Sequence, residues 1–476
     1  MSPTRRVLVR TYGCQMNAHD TEKIENLLRH RGWARAAGLE DATLLIVNTC
    51  SIRDKAEHQL YSDLGALREW RDAAPGRALA VGGCVAQQAG DAILRRFPQV
   101  DFVFGTHQLR QVPELAEAAE RGRREARVAE SRSLERFELP ERHPDYEAPT
   151  PGRAFLTVME GCDLFCSFCI VPRTRGREIS RPAAAILAEA RALAARGVRE
   201  LTLLGQTVNA YGRHDRRRGL TDAAGTLPFA QLLARLAEVP GLARLRYTSP
   251  HPIFFDAALV RAHAELAPLC PHVHLPLQSG SDAVLARMRR RYGRDEYRRV
   301  VEALRAARPD VALTTDLIVG YPGETDAEFR ETLALVREVG FVDAFSFRYS
   351  PRPGTAAAQA ADPVASERAQ ARLEELQALL SGLTAAALRA RVGERTEVLV
   401  AGPSRQGGGQ LAGRDPYHRI VNFAADPAQA PPGSLVRVRI EAATPRSLLG
   451  RLEAPPGLKA RAPRADELIQ IQDARA

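Results

Sequence analysis

Nowhere in the chain do apolar residues run uninterrupted for the ~18 positions a membrane-spanning helix needs, so no transmembrane helix is expected. Residues 1–6 carry no apolar core of the kind a secretory leader requires and lead straight into an amphipathic unit, so a cytoplasmic protein is expected. Lysine is scarce. With only Lys23, Lys55 and Lys459 present, the net charge of +10 is carried almost wholly by arginine. That balance suits a polyanionic partner, but a compositional bias toward arginine and alanine explains it equally well, and charge alone decides nothing. Cysteine is sparse too, seven in 476 residues. An odd number in a cytosolic setting does not fit a disulfide framework and favours metal or redox chemistry. Walker loops, nucleophile elbows and acid–base triads are missing, which removes the commonest competing enzyme classes.

What is present is the balance of a soluble globular protein, 45% hydrophobic and 26% charged, in a chain too long for one core. Residues 7–12, 44–48, 78–81 and 102–104 read as strands, separated by helical stretches such as 20–31 and 54–70. Alternation of this kind predicts an α/β domain over residues 1–122, a doubly wound parallel sheet. Residues 123–150 turn charged and proline-bearing and read as a linker. A second alternating series follows, with strands at 154–159, 200–204, 244–248, 272–277, 312–319 and 344–349. It predicts a partial (β/α)6 barrel over residues 151–391, including a trailing helix from 365, with its site at the carboxyl ends of the strands. Residues 392–455 show short alternating strands at 396–400, 417–423, 434–440 and 447–452, a small all-β barrel, and residues 456–476 read as a flexible tail.

Three cysteines, Cys162, Cys166 and Cys169, sit on one short loop directly after the first barrel strand. Three thiolates spaced this way can wrap one face of a cubane iron–sulfur cluster and leave its fourth iron without a protein ligand. Zinc is the main rival, but a structural zinc wants a fourth ligand, and no further Cys or His lies nearby in sequence. A second trio, Cys14, Cys50 and Cys84, is scattered in sequence, yet each member directly follows a predicted parallel strand. Such strands end along one edge, where ligands bind, so the three thiols are expected to meet there and hold a second cluster. Cys270 matches neither trio and reads as a packed thiol; His251, His272 and His274 read as structural.

The Cys162-Asp-Leu-Phe-Cys166-Ser-Phe-Cys169 run resembles the signature of the radical S-adenosylmethionine superfamily. The resemblance implies that S-adenosylmethionine chelates the open iron and is cleaved to a 5′-deoxyadenosyl radical. It also implies that Phe168 lies beside the adenine. Gly205-Gln206-Thr-Val-Asn209 follows the second barrel strand, and Asp316-Leu-Ile-Val-Gly320-Tyr-Pro-Gly323-Glu324 follows the fifth. Gln206, Asn209, Asp316, Gly320, Gly323 and Glu324, with Gln278 and Ser279, are therefore expected around the cofactor at the barrel mouth.

With both trios, the chain resembles the radical S-adenosylmethionine methylthiotransferase family over roughly residues 5–452. The stretches that carry this are Thr11-Tyr-Gly-Cys-Gln-Met-Asn17, Asn48-Thr-Cys-Ser-Ile-Arg53, Gly82-Gly-Cys-Val-Ala-Gln87, Pro172-Arg-Thr-Arg-Gly-Arg-Glu178, His274-Leu-Pro-Leu-Gln-Ser-Gly-Ser281 and Tyr349-Ser-Pro-Arg-Pro-Gly-Thr355. The 48–53 stretch and Gln206-Thr-Val-Asn-Ala-Tyr211 point to the branch that modifies carbon 2 of N6-isopentenyladenosine at position 37 of tRNA. The resemblance implies two [4Fe–4S] clusters, the second delivering sulfur, and S-adenosylmethionine as radical source and methyl donor. Implied partners are a tRNA anticodon stem-loop and an electron donor such as a flavodoxin, with no membrane and a monomeric chain. Residues 392–455 resemble the TRAM module, an RNA-binding β-barrel, although Asp415-Pro-Tyr-His418 departs from its usual polar run. Eight arginines against six acids leave residues 393–455 mildly basic, with Arg414, Arg419, Arg437 and Arg439 the expected RNA contacts. The competing readings are a sibling acting on threonylcarbamoyl-adenosine or on a ribosomal-protein aspartate, and a non-catalytic iron–sulfur RNA-binding or electron-transfer protein.

Overall fold

The computed structural model describes residues 5–51, 54–145, 150–217 and 225–453. The expected tail at 456–476 and the Ile52-Arg53 end of one diagnostic stretch lie outside them. Two compact units separate, residues 1–149 with 153–383 and residues 150–152 with 384–476, the division falling inside the long helix Ser366–Arg389.

The first unit begins with a six-stranded parallel sheet, ordered β2-β1-β3-β4-β5-β6. Its strands are β1 (Arg6–Tyr12), β2 (Ala34–Arg35), β3 (Leu44–Thr49), β4 (Ala78–Gly83), β5 (Phe102–Phe104) and β6 (Glu125–Arg127). Apolar side chains leave β3 and β4 on both faces: Leu44, Ile46 and Ala80 pack on one side, Leu45, Val47 and Val81 on the other. Being covered twice makes these runs continuously apolar, as parallel strands are. Strand β6 is a correction to the expected linker. Its residues read as charged and aperiodic, yet Phe102↔Glu125 through Phe104↔Arg127 extend the sheet by one edge strand. An edge strand needs only one covered face, so it carries little periodic signal.

The barrel strands form two parallel three-stranded sheets. One comprises β7 (Arg153–Thr157), β10 (Glu200–Leu204) and β11 (Arg244–Tyr247); the other comprises β12 (His272–His274), β13 (Ala312–Val319) and β14 (Asp343–Arg348). Between β7 and β10, a two-stranded ribbon of β8 (Met159–Glu160) and β9 (Ile179–Ser180) flanks the cysteine loop. Each three-stranded sheet has its own helix-covered core.

The second unit closes a five-stranded barrel in the order β15-β16-β17-β19-β18. Its strands are β15 (Arg395–Pro403), β16 (Gln410–Arg414), β17 (Ile420–Ala424), β18 (Leu435–Ala443) and β19 (Leu448–Leu452). Strand β16 was not among the expected ones, because its Gln-Leu-Ala-Gly-Arg sequence is poor in β-branched residues. Among the described residues no helix is long and apolar enough to cross a membrane.

Candidate active site

Strand register brings the scattered trio together. Tyr12, Thr49 and Gly83 stand side by side across β1, β3 and β4; Cys50 and Cys84 follow immediately, and Cys14 follows after Gly13. Cys14 caps helix α1 (Gln15–Arg29), and Cys84 opens helix α2 (Cys84–Ala89). Both therefore sit at helix N-termini, where negative charge is favoured. Two glycines permit the close approach. A Cβ on Gly13, whose φ is +147°, would lie 2.5 Å from the Cβ of Cys50. One on Gly83, at φ +92°, would lie 2.4 Å from the Thr49 carbonyl oxygen. Asn17 and Asn48 interlock beneath: Asn17 Nδ2 donates to the Thr49 carbonyl (3.2 Å), Asn48 Nδ2 donates to the Asn17 carbonyl (2.8 Å), and Cys14 Sγ donates to Asn17 Oδ1 (3.2 Å).

Cys50 is hydrogen-bonded to both other thiols. Those bonds, and then the charge of Arg175, pull Cys14 down to about 6 and Cys84 down to about 7 against the effect of burial. The same contacts push Cys50 well above the ordinary thiol range, so it is the last of the three to give up its proton. Arg175 reaches this edge from the segment that follows the cysteine loop. Its Nη2 donates to Asp20 Oδ2 at 2.6 Å, both groups buried.

Cys162, Cys166 and Cys169 occur together in a small apolar cluster with Leu164, Phe168, Val171, Ile253 and Phe254. Burial pushes Cys162 up and Cys169 up to about 12. Two of the sulfurs meet polar partners: Thr207 Oγ1 and Cys162 Sγ share a 3.1 Å hydrogen bond, and Arg290 Nη1 donates to Cys166 Sγ at 3.4 Å. Among the described residues no three His, Cys, Asp or Glu side chains gather as tightly as one mononuclear ion requires. A cubane asks for wider spacing, since each thiolate binds a different iron.

The expected cofactor residues divide. Phe168 packs between the cysteine loop and a cluster containing Met288 and Tyr321. Gln206 Oε1 accepts from the Gly161 amide, just before the loop. Gln278, at φ +71°, bridges the second sheet through its backbone, its amide donating to the Asp316 carbonyl at 2.8 Å. Asp316 is partly exposed and faces His274 Nε2 at 3.2 Å. Gly320 and Gly323 turn with φ near +70° after β13. Three others are committed to the framework. Asn209 exchanges hydrogen bonds with the His251 backbone (3.0 and 2.8 Å). Ser279 bonds Thr332, and buried Glu324 closes on the Gly320 amide (2.6 Å) and Arg372 (2.8 Å). Sequence reasoning did not single out Thr207, Arg175 or Arg290. The first two lay inside quoted stretches; Arg290, in a run of three arginines, reads as a solvated charge.

In the second unit Arg437 and Arg439 are exposed on β18, and Arg439 stands between Arg395 and Arg451 on the neighbouring strands. Arg414 instead donates to the His418 carbonyl (2.6 Å) within its own hairpin, and the Arg419 amide donates to buried Asp415 (2.7 Å).

Family models match along the chain: the uncharacterized protein family UPF0004 over residues 6–105, the radical SAM superfamily over 156–336 and the TRAM domain over 389–452. A tRNA-2-methylthio-N(6)-dimethylallyladenosine synthase of Geobacter metallireducens is 48% identical over 453 residues, covering 95% of this chain and 99% of the relative. The chain belongs to the tRNA-2-methylthio-N(6)-dimethylallyladenosine synthase family. Another synthase of this family, from Cereibacter sphaeroides, is 48% identical over 450 residues, 94% of this chain and 99% of its own. Among solved structures, the radical S-adenosylmethionine methyltransferase TsrM of Kitasatospora setae shares the fold, with a TM-score of 0.53 at 16% identity over 74% of this chain and 75% of that one. The Cys162–Cys169 loop lies within the stretch that the radical SAM model matches.

Proposed function

We propose that this chain places a methylthio group on carbon 2 of N6-isopentenyladenosine at position 37 of tRNA. Cys162, Cys166 and Cys169 hold one [4Fe–4S] cluster with S-adenosylmethionine on its open iron, and Cys14, Cys50 and Cys84 hold a second. The observation that carries the reading is the presence of two cysteine trios within one compact unit, each at the carboxyl ends of parallel strands, in a chain 48% identical to named synthases. When bound, the clusters and S-adenosylmethionine supply the one-electron chemistry that opens an unactivated C–H bond, together with the sulfur and methyl group that replace the hydrogen.

The chain's own residues create the conditions for that chemistry. Leu164, Val171, Ile253 and Phe254 surround the loop thiols and keep water away from them. Phe168 and Gln206, beside the loop, and Asp316 and Gln278, from the second sheet, would contact the bound S-adenosylmethionine. Arg175 fixes the edge of the N-terminal sheet to the barrel through Asp20. A single-stranded anticodon-loop base can be splayed into such a site without first being flipped from a duplex. The β-barrel holds the anticodon stem-loop through Arg437 and Arg439, a flavodoxin-type protein supplies electrons, and the chain works as a cytoplasmic monomer.

Nucleoside mass spectrometry of bulk tRNA from cells with and without the gene tests this. Loss of 2-methylthio-N6-isopentenyladenosine with accumulation of N6-isopentenyladenosine is expected. An unchanged profile would overturn the assigned substrate.

A further inference from the structure

We propose that Arg290 sets the working potential of the cluster on the Cys162–Cys169 loop by donating a charge-assisted hydrogen bond to the sulfur of Cys166. The inference rests on the reading that this loop holds the cluster.

Residues 288–293 read Met-Arg-Arg-Arg-Tyr-Gly, and the three arginines behave differently. Arg289 and Arg291 are exposed, whereas Arg290 between them is 6% exposed. The inward turn is made by the backbone, because Arg289 and Arg291 both take left-handed conformations, with φ of +58° and +60°. Non-glycine residues adopt that region only where their surroundings over-determine it.

The guanidinium so presented is held on every side. Its Nε donates to Tyr292 Oη (3.1 Å), Nη2 to the Pro276 carbonyl (3.4 Å) and Nη1 to Cys166 Sγ (3.4 Å). Tyr292 Oη is itself anchored on the Leu277 carbonyl at 2.9 Å. The segment is also fastened to the loop: the Ser167 amide donates to the Met288 carbonyl (3.1 Å), and Ser167 Oγ donates to the Arg287 carbonyl (2.8 Å). Distance and direction between Arg290 and Cys166 are therefore fixed by several independent contacts.

Among the described residues no carboxylate pairs with Arg290. A buried guanidinium without a counter-ion is costly, and a neutral residue of similar shape would satisfy the Pro276 carbonyl as well. The anion that Arg290 faces is the thiolate Cys166 becomes when it ligates iron. A positive charge and an N–H donor at a ligand sulfur stabilise the cluster form carrying one more electron, so the potential rises and a weaker one-electron donor can reduce it. No bond is made or broken in this step; one electron passes from the external donor to the cluster.

The test is an EPR-monitored reductive titration of the full-length chain, reconstituted anaerobically, comparing wild type, Arg290→Lys and Arg290→Gln. Arg290→Gln is expected to retain iron and sulfide but to show a midpoint shifted to more negative potential, with Arg290→Lys in between. Cleavage of S-adenosylmethionine driven by flavodoxin should fall about tenfold or more in Arg290→Gln, in line with losses seen when a hydrogen bond to a metal ligand is removed. Titanium(III) citrate, a stronger donor, should restore it. A loaded Arg290→Gln protein with the wild-type midpoint would overturn the inference. If that variant does not load, Tyr292→Phe, which frees the guanidinium but keeps its charge, must shift the midpoint the same way; an unchanged value overturns the inference. Failure of the underlying reading looks different, since Cys166→Ala would then keep the S-adenosylmethionine-perturbed EPR signal.

Discussion

Cys50 stands between two other thiols at a sheet edge, and Cys166 stands between a loop and a buried guanidinium; the two are proposed to serve different clusters. Single substitutions separate them. A Cys166→Ala protein should lose cleavage of S-adenosylmethionine to 5′-deoxyadenosine. A Cys50→Ala protein should still cleave it yet leave N6-isopentenyladenosine unmodified, as chromatography of both products will report. Methylthiolated tRNA from Cys50→Ala would sink the second-cluster assignment. At this scale the cysteines were legible because strand ends in a parallel sheet converge whatever their sequence separation. The polar residues were less so. Asn209, Ser279 and Glu324 sit where ligand contacts were expected, but their side chains close on the His251 backbone, Thr332 and Arg372. Position along a strand predicts the neighbourhood of a side chain, not which partner in that neighbourhood it takes.

Among elements, the carboxyl ends of β1 and β3 approach so closely that Gly13 has no tolerable replacement. Alanine there meets both a left-handed φ and the Cys50 Cβ at 2.5 Å. Gly13→Ala should destabilise the protein by about 1–3 kcal/mol and reduce bound iron toward that of Cys50→Ala, measured by thermal melting and iron assay; wild-type iron content would contradict this. A second prediction belongs to the helix Ala257–Glu265. His263 is fully buried there, bonded to Tyr247 Oη at 2.6 Å, and burial holds it down to about 4. The folded protein keeps this imidazole neutral, while the unfolded chain protonates it below its ordinary value near 6.5. The unfolded state therefore binds the extra proton between those values, and stability falls as pH drops through that window, by about 3 kcal/mol in all. Melting curves across the window should show the decline, and His263→Gln should flatten it; an unaltered slope would assign the proton to another group. The doubly covered strands were legible as unbroken apolar runs and the amphipathic helices by periodicity. Strands β6 and β16 were not, one because an edge strand is half exposed, the other because close packing around Gly413 matters more than propensity. A Cβ on Gly413 would lie 2.3 Å from the Leu399 carbonyl oxygen.

For the molecule as a whole, two compact units carry separate tasks in the proposed function: one performs chemistry and the other holds RNA. Replacing Arg437 and Arg439 together with alanine should weaken tRNA binding similarly for any sequence and lower the salt dependence of log K by about one per arginine. Filter binding across a salt series measures both. An unchanged slope would move the RNA contacts elsewhere, and cleavage of S-adenosylmethionine without tRNA should be unaffected in either case.

The two trios also differ in how they come into being. Three loop thiols lie within eight consecutive residues and leave the ribosome almost together, whereas Cys14 must wait for Cys84, 84 − 14 = 70 positions later. At about 5–20 residues per second, that wait lasts several seconds, and even then the edge exists only after β1, β3 and β4 have paired. The geometry of the loop trio thus depends on a few neighbouring residues, while that of the sheet-edge trio depends on three paired strands. In the proposed function the sheet-edge site therefore reports that the N-terminal sheet has folded, although its last thiol, Cys84, is synthesised before Cys162.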